Sequence, residues 1–333
     1  MSDVAIGIPS DLSIPLTTFA LTFDPKGAVA DMAAPKLPVN LMFGKYPKWD
    51  KKSLFSLGST VSGLRGQVDE IQEILESGSF NCKPFAKQVV TPRDSQQEYA
   101  ALGIDKAQRD AKKIMHALAA ERESRVHSLL TTAANYSGNT AGPLAGTWDL
   151  AASTPLQDGA RALRSLIGRG ARTIMVMGRA VFDVLKFNAQ VLSALGRPGG
   201  QTDREISQAS REDIARMFEV DEVLVSDLQY NTANDGQTMV RDFIWSAKHV
   251  AVMVCPRAED LMGDALSFAL TFRYTHAELS EIDFGGIPAT AIMRRWFDES
   301  EGAYGSWRTI GAYSEDIQVV APDAGFLITN VIP

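Results

Sequence analysis

The stretch IDKAQRDAKKIMHALAAERESRVHSLLTTA, residues 104–133, decides how the rest of this chain is read. No proline falls between Pro92 and Pro143, so an uninterrupted helix has room to form. Ala107, Ala111, Ile114, Leu118, Val126, Leu129 and Ala133 recur at spacings of three, four or their sums, which draws one apolar stripe along such a helix. Asp105 and Asp110 place negative charge near its start, where the helix dipole favours it, and Glu121 precedes Arg125 by four positions. Thirty residues rising about 1.5 Å each make a rod of roughly 45 Å. Ordinary helices run to about 11–12 residues. A rod this long predicts a beam from which other segments hang.

Around it, 333 residues allow two core-bearing domains or one elongated body with appendages. An apolar share of 45% with 22% charged residues is globular composition, which argues against disorder and against membrane spanning. The longest apolar windows, residues 250–255 and 173–177, have strand length. Residues 1–15 lack the basic region and apolar core of a secretion signal. Cys82 and Cys255 form neither a disulfide framework nor a metal-ligand spacing, and fit a reducing cytoplasm. A net charge of −7 argues against a dedicated nucleic-acid binder. It suits a container whose wall must not stick to polyphosphate.

Before the rod, residues 1–52 read as an extended arm. Pro9, Pro15, Pro25, Pro35, Pro38 and Pro47 interrupt every candidate helix, and the apolar pieces between them (14–21 and 37–43) are short. Such an arm needs a surface to lie on; a neighbouring molecule is the expected one, the arm's own domain the alternative. Residues 53–97 read as a projecting hairpin. Gly58, Gly63, Gly66 and Gly78 punctuate it, 68–75 and 80–90 are candidate strands, and Glu76-Ser77-Gly78-Ser79 is the turn. Phe80 and Phe85 have no partner stripe around them, and a hairpin alone is marginal in water. Lys45, Lys48, Lys51 and Lys52 surround Trp49 where arm meets hairpin. A second basic group, Arg161, Arg164, Arg169 and Arg172, lines a later helix and its exit. Each is read as a solvated face, with a neighbour's carboxylates or a nucleic-acid backbone as the sharper alternatives.

After the rod, Ser153-Thr154-Pro155 opens a helix over 155–167, with a capping hydroxyl and proline at its first position. A buried strand over 173–177 and helices over 180–186 and 211–218 follow. Then strands dominate, at 222–228, 249–255, 265–274, 289–297, 307–320 and 326–332, which makes the chain α+β. Catalytic signatures fail their tests. His116 and His127 share a helix face but stand about 16 Å apart, too far for one metal ion. No Gly-Lys-Ser/Thr follows the glycines near residue 200, and neither a dinucleotide fingerprint nor a Gly-x-Ser-x-Gly elbow occurs. Glu299 and Glu301 read as a solvated turn, since a carboxylate pair needs a pocket before it means acid–base work.

Several runs stand out in order: Glu121-Arg122-Glu123-Ser124-Arg125-Val126-His127-Ser128-Leu129-Leu130, the Asn139-Thr140 loop, Gly146-Thr147-Trp148-Asp149, and Ser153-Thr154-Pro155-Leu156-Gln157-Asp158 leading into Thr173-Ile174-Met175-Val176-Met177-Gly178. Near the end come Trp307-Arg308-Thr309-Ile310-Gly311-Ala312-Tyr313 and Ala324-Gly325-Phe326-Leu327-Ile328-Thr329. This succession resembles the tailed-bacteriophage major capsid protein family, with its Hong Kong 97-type fold. The resemblance implies an α+β capsid fold with an N-terminal arm (1–52), an extended loop (53–97), a peripheral domain (98–159 and 286–317) carrying a spine helix at about 104–133, and an axial domain (160–285 and 318–333).

The same resemblance implies a structural protein rather than an enzyme, without cofactor or metal. It would self-assemble through pentamers and hexamers into the icosahedral shell of a virion, formed in the host bacterial cytoplasm and without a membrane. Double-stranded DNA would be enclosed without sequence-specific binding, with a portal as a further partner. With only about fifty residues before the hairpin, a separate scaffolding protein is the expectation. Lys48, Trp49, Lys51, Phe80, Phe85, Glu299 and Glu301 are the candidate inter-subunit contacts, the two glutamates lying in a turn that the resemblance places at threefold contacts. Lys83 and Lys87 lie in the hairpin, but no matching asparagine and acidic catalyst are identifiable, so no covalent crosslink is expected. An encapsulin-type nanocompartment, with the same fold around cargo proteins, is the alternative; a cytoplasmic α+β enzyme with an unrecognised site is the third reading.

Overall fold

The protein's structure, a computed structural model, describes residues 11–48, 76–168, 171–196, 208–233, 236–257, 266–276, 279, 282 and 284–333. Its helices are α1 (Ile14–Leu21), α2 (Ala30–Ala33), α3 (Arg93–Ala101), α4 (Lys106–Thr131), α5 (Pro155–Ser165), α6 (Arg179–Lys186), α7 (Ala189–Leu195) and α8 (Arg211–Met217). Its strands are β1 (Lys36–Val39), β2 (Phe43–Lys48), β3 (Glu76–Asn81), β4 (Lys83–Pro92), β5 (Thr140–Ala141), β6 (Thr173–Gly178), β7 (Glu222–Ser226), β8 (Gln229–Asn231), β9 (Arg241–Phe243), β10 (His249–Val254), β11 (Ala269–Tyr274), β12 (Ile292–Asp298), β13 (Ser306–Val319) and β14 (Gly325–Thr329).

The rod is α4, 26 residues long. It starts where Asp105 caps it, the carboxylate accepting the N–H groups of Ala107 at 2.9 Å and Gln108 at 3.3 Å. It ends at Thr131 because Thr132 turns extended. Ala107, Ala111, Ile114, Leu118 and Val126 are buried as the stripe requires, and Leu130 rather than Leu129 continues it. The break in the stripe between Leu118 and Val126 is filled by Arg122, which is also buried.

The two halves of α4 lie on different sheets. Ala107, Ala111, Ile114 and Leu118 pack with Leu16 of α1 and with Met293 and Tyr313 of a five-stranded sheet ordered β1-β11-β13-β12, in which β4 also pairs with β13. Val126 and Leu130 pack with Ile174, Val176, Ala251 and Leu327 of a second sheet, ordered β5-β14-β10-β6-β7. The opposite face of that second sheet (Met175, Met177, Val250, Val252, Phe326) is covered by α5 to α8 through Leu163, Phe182, Leu185 and Phe218. A sheet buried on both faces explains why residues 173–177 carry no polar alternation.

Two expectations are corrected. Residues 11–39 are not an extended arm reaching for a neighbour. Pro15 sits in the first turn of α1, where its missing N–H costs nothing, so a helix forms. This segment then lies along its own chain: Ser13 N–H donates to Met293 O at 3.0 Å, and β1 runs parallel to β11. The hairpin is also registered differently. Glu76-Ser77-Gly78-Ser79 belongs to β3, which pairs antiparallel with β2 from Phe43↔Asn81 to Lys48↔Glu76, while β4 joins β13. The projecting ribbon is therefore β2–β3; the candidate strand at 68–75 lies outside the described residues. Helices α3 and α7 were not anticipated. No helix among the described residues is long and apolar enough to cross a membrane.

Candidate functional site

The polar residues that interrupt the α4 stripe converge on the junction of the two sheets. Glu315 on β13 is 1% exposed and takes Arg122 Nε at 3.2 Å, Arg273 Nη1 at 2.6 Å and Arg125 Nη2 at 2.9 Å. Burial alone would raise its carboxyl, but Arg122, Arg273 and Arg125 together hold it below the usual carboxylate range. Arg122 also pairs with Asp31 and donates to Ala34 O at 3.2 Å and Thr271 Oγ1 at 3.1 Å. One guanidinium thus ties the N-terminal segment to α4, β11 and β13.

The adjacent Glu123, fully buried, performs the same task toward the second sheet. Its carboxylate accepts the N–H groups of Val29 at 3.1 Å and Ala30 at 2.9 Å, Ser226 Oγ at 2.9 Å and Trp245 Nε1 at 2.5 Å. A turn further on, His127 Nε2 accepts the Ser246 N–H at 3.0 Å and its ring meets Trp245 edge-on. Burial, then the neighbouring His249, lowers the His127 pKa, in keeping with a neutral ring that accepts this bond.

The tryptophan–aspartate and serine–threonine–proline runs acquire a structural role. Trp148 is 1% exposed, and its indole N–H donates to Asp158 Oδ2 at 2.8 Å, while Leu144 N–H reaches Asp158 Oδ1 at 2.8 Å. Asn188 Nδ2 donates to Trp148 O and to Ser153 Oγ, both at 2.9 Å. The expected capping hydroxyl is not used: Thr154 occupies the N-cap of α5 without a side-chain bond, and Ser153 Oγ turns to Leu150 O at 2.7 Å. These residues fasten the loop before α5 onto α5 itself and onto the start of α7.

Reactive chemistry finds little footing. Burial pushes the Cys82 thiol up to about 11 and the Cys255 thiol up to about 12. Among the described residues no group of three or more His, Cys, Asp and Glu could hold a metal ion. His116 lies edge-on to Phe23.

The seven contact candidates are scattered. Lys48 ends the ribbon strand β2, half-buried, whereas Trp49 and Lys51 lie outside the described residues. Phe80 is 8% exposed and stacks on Phe272 with centroids 4.6 Å apart, at the ribbon's root. Phe85 is half-buried between the Arg125 guanidinium, 3.6 Å from its ring centre, and Tyr313. Glu299 is exposed in the β12–β13 turn; Glu301 there pairs with Arg308 at 2.7 Å. The ribbon's root carries a better-exposed apolar group that was not singled out: Leu41 at 65%, Met42 at 40% and Phe43 at 76%. Its signal in the sequence was the short apolar piece at 37–43, stranded between prolines.

No family model matches the chain. A major capsid protein of Pseudomonas phage JBD67 is 22% identical over 333 residues, covering 97% of this chain and 98% of that protein. Among solved structures, a phage-related protein from Bordetella bronchiseptica RB50 aligns with a TM-score of 0.70 at 15% identity, over 97% of this chain and 98% of that one. The capsid protein of cyanophage P-SCSP1u aligns with a TM-score of 0.54 at 11% identity, over 92% and 89%. The α+β fold of the described residues is thus the fold seen in phage capsid subunits, along nearly the whole chain.

Proposed function

We propose that this chain is a major capsid protein of the Hong Kong 97-type, a subunit that assembles with copies of itself into the shell of a tailed phage. The observation that carries this reading is the whole-length likeness to a phage major capsid protein and to capsid structures, with no large stretch left over for another task. The shape supports it. A 26-residue beam bridges two sheets, and a two-stranded ribbon at its side carries apolar groups that are exposed among the described residues. A ribbon of this kind is marginal alone and gains stability by lying on a neighbour.

Within this reading we assign the sheet on the N-terminal half of α4 to the peripheral domain, which moves β11 (Ala269–Tyr274) out of the axial range 160–285 expected from the sequence, and the sheet on its C-terminal half to the axial domain, which faces the centre of pentamers and hexamers. The ribbon β2–β3 is the extended loop. Lys48, Trp49, Lys51, Glu299 and Glu301 are proposed to meet neighbouring subunits, together with Phe43; Phe80 packs at the ribbon's root and Phe85 against Arg125 and Tyr313 under α4. The role is structural, and the partners are further copies, a separate scaffolding protein, a portal and the enclosed double-stranded DNA. An acidic chain with net charge −7 lets that DNA lie inside without adhering.

The test is to isolate particles from producing cells, treat them with nuclease and measure what remains inside. Protected double-stranded DNA is expected. Particles that hold a cargo enzyme and no protected DNA would instead identify a nanocompartment.

A further inference from the structure

The backbone at Trp245 and Ser246 is pinched between two elements of the body. On one side it crosses Gly178 at the end of β6, where a Cβ would stand 2.8 Å from Ser246 O and 3.0 Å from Trp245 O, so the approach needs a glycine. On the other side lies α4, with His127 Nε2 taking the Ser246 N–H at 3.0 Å and Glu123 taking the Trp245 indole N–H. From this point the β8–β9 ribbon extends. Its strands pair only with each other among the described residues, and Ile244 N–H closes its root on Leu228 O at 3.0 Å. One leg of the ribbon is tied by Asp227 N–H to Gly27 O at 3.0 Å, the other by Trp245 and Ser246 to α4.

An imidazole nitrogen that accepts a hydrogen bond carries no proton, so the Ser246 bond requires a neutral His127. The surroundings favour that form from each element. The ring lies edge-on against Trp245, and from β10 His249 faces it, with Lys248 next to His249. On α4, Glu123 stands one turn earlier with four donors already on its carboxylate, and Arg125 is turned away to Glu315. Burial first, then His249, holds His127 below its ordinary value of 6.5; burial, then Lys248, does the same to His249. His249 Nδ1 is buried and, among the described residues, without a hydrogen-bond partner. A proton on His127 Nε2 would set a donor against the Ser246 N–H, and a second on His249 would add like-charge repulsion.

We propose that His127 and His249 form a proton-operated latch, which holds the root of the β8–β9 ribbon to α4 while both rings are neutral and releases it when they are protonated. Folded His127 takes up its proton at lower pH than a solvated histidine, so the latch contributes fully above 6.5 and is lost as pH falls through the lowered value. Release repositions a ribbon on which Tyr230, Met239 and Val240 are exposed, and leaves both sheets in place. The latch is built from contacts within one chain, so it goes beyond the shell reading and does not depend on it.

The experiment is hydrogen exchange on the full chain, read as protection factors between about pH 7.5 and about pH 5. Protection at residues 244–248 is expected to fall about tenfold across that window, while residues 111–118 of α4 stay level. His127→Gln keeps an acceptor that does not titrate and should hold 244–248 at constant protection; His127→Phe, without an acceptor, should lack that protection at both ends. His249→Gln removes a repelling neighbour and should move the fall to higher pH. Level protection in the parent chain, an equal fall at 111–118, or an unchanged fall in His127→Gln overturns the latch. Should neither His127 variant fold, the His249→Gln midpoint decides: an upward move supports the latch and an unmoved midpoint overturns it.

Discussion

Replacing Glu315 by glutamine would leave Arg122 and Arg273, each 5% exposed, facing a neutral amide. Removing one partner of a buried ion cluster costs about 3–5 kcal/mol, so Glu315→Gln should lower the denaturant midpoint by that equivalent. The cluster also sets a pH dependence. The Glu315 carboxyl sits below its ordinary value of 4.5, so its contribution is complete above that value and is lost as pH falls through the depressed one. Acid denaturation of Glu315→Gln should therefore show a shallower limb than the parent; equal limbs would remove Glu315 as its source. Glu123→Gln brings an amide N–H₂ among four donors and should cost about 1–3 kcal/mol, with faster exchange at the Val29 and Ala30 amides. Neither role was legible in the sequence. Glu121 and Arg125 suggested a surface pair along the helix, whereas Arg125 reaches Glu315, far off in the chain. The gap in the apolar stripe at Arg122 was the available sign, and spacing alone does not say which distant carboxylate fills it.

At the scale of elements, local patterns were readable and distant pairings were not. The long helix followed from its own stripe and missing prolines, and the strands from 222 onward, apart from the short polar β8 and β9, from their own apolar runs. Prolines misled at the N-terminus because Pro15 starts a helix rather than breaking one. The ribbon misled because β3 pairs with β2, across a long insertion, rather than with its sequence neighbour. The Trp148–Asp158 bond fastens the loop between α4 and α5. Trp148→Phe should leave Asp158 Oδ2 without its donor, while Oδ1 keeps the Leu144 N–H, and cost about 1–3 kcal/mol, read from the unfolding midpoint. Phe43→Asp tests the ribbon differently. An exposed side chain changes stability by about 0.5 kcal/mol at most, so the unassembled chain should unfold as before while assembly fails. Assembly at parental yield would place Phe43 outside the subunit contacts.

For the whole molecule, one beam joins two sheets that each have their own core, and the ribbon extends beyond both. Among the described residues the ribbon leaves Leu41, Met42 and Phe43 exposed, so in the proposed shell its stability is coupled to the presence of neighbours. Amide exchange in residues 43–48 and 76–81 should accordingly slow on assembly, while the α4 amides, already buried within the chain, change little. The rod was legible in the sequence; the wrapping of residues 11–39 on their own chain and the pairing of β2 with β3 were not, since no local pattern distinguishes one's own surface from a neighbour's.

The most direct test of the shell assignment is particle mass, measured by light scattering on the expressed chain with negative-stain images of the same fraction. Closed shells, or rings of five or six subunits, are the expected result, alone or with a scaffolding protein co-expressed. A chain that remains a monomer or dimer under both conditions would contradict the assignment.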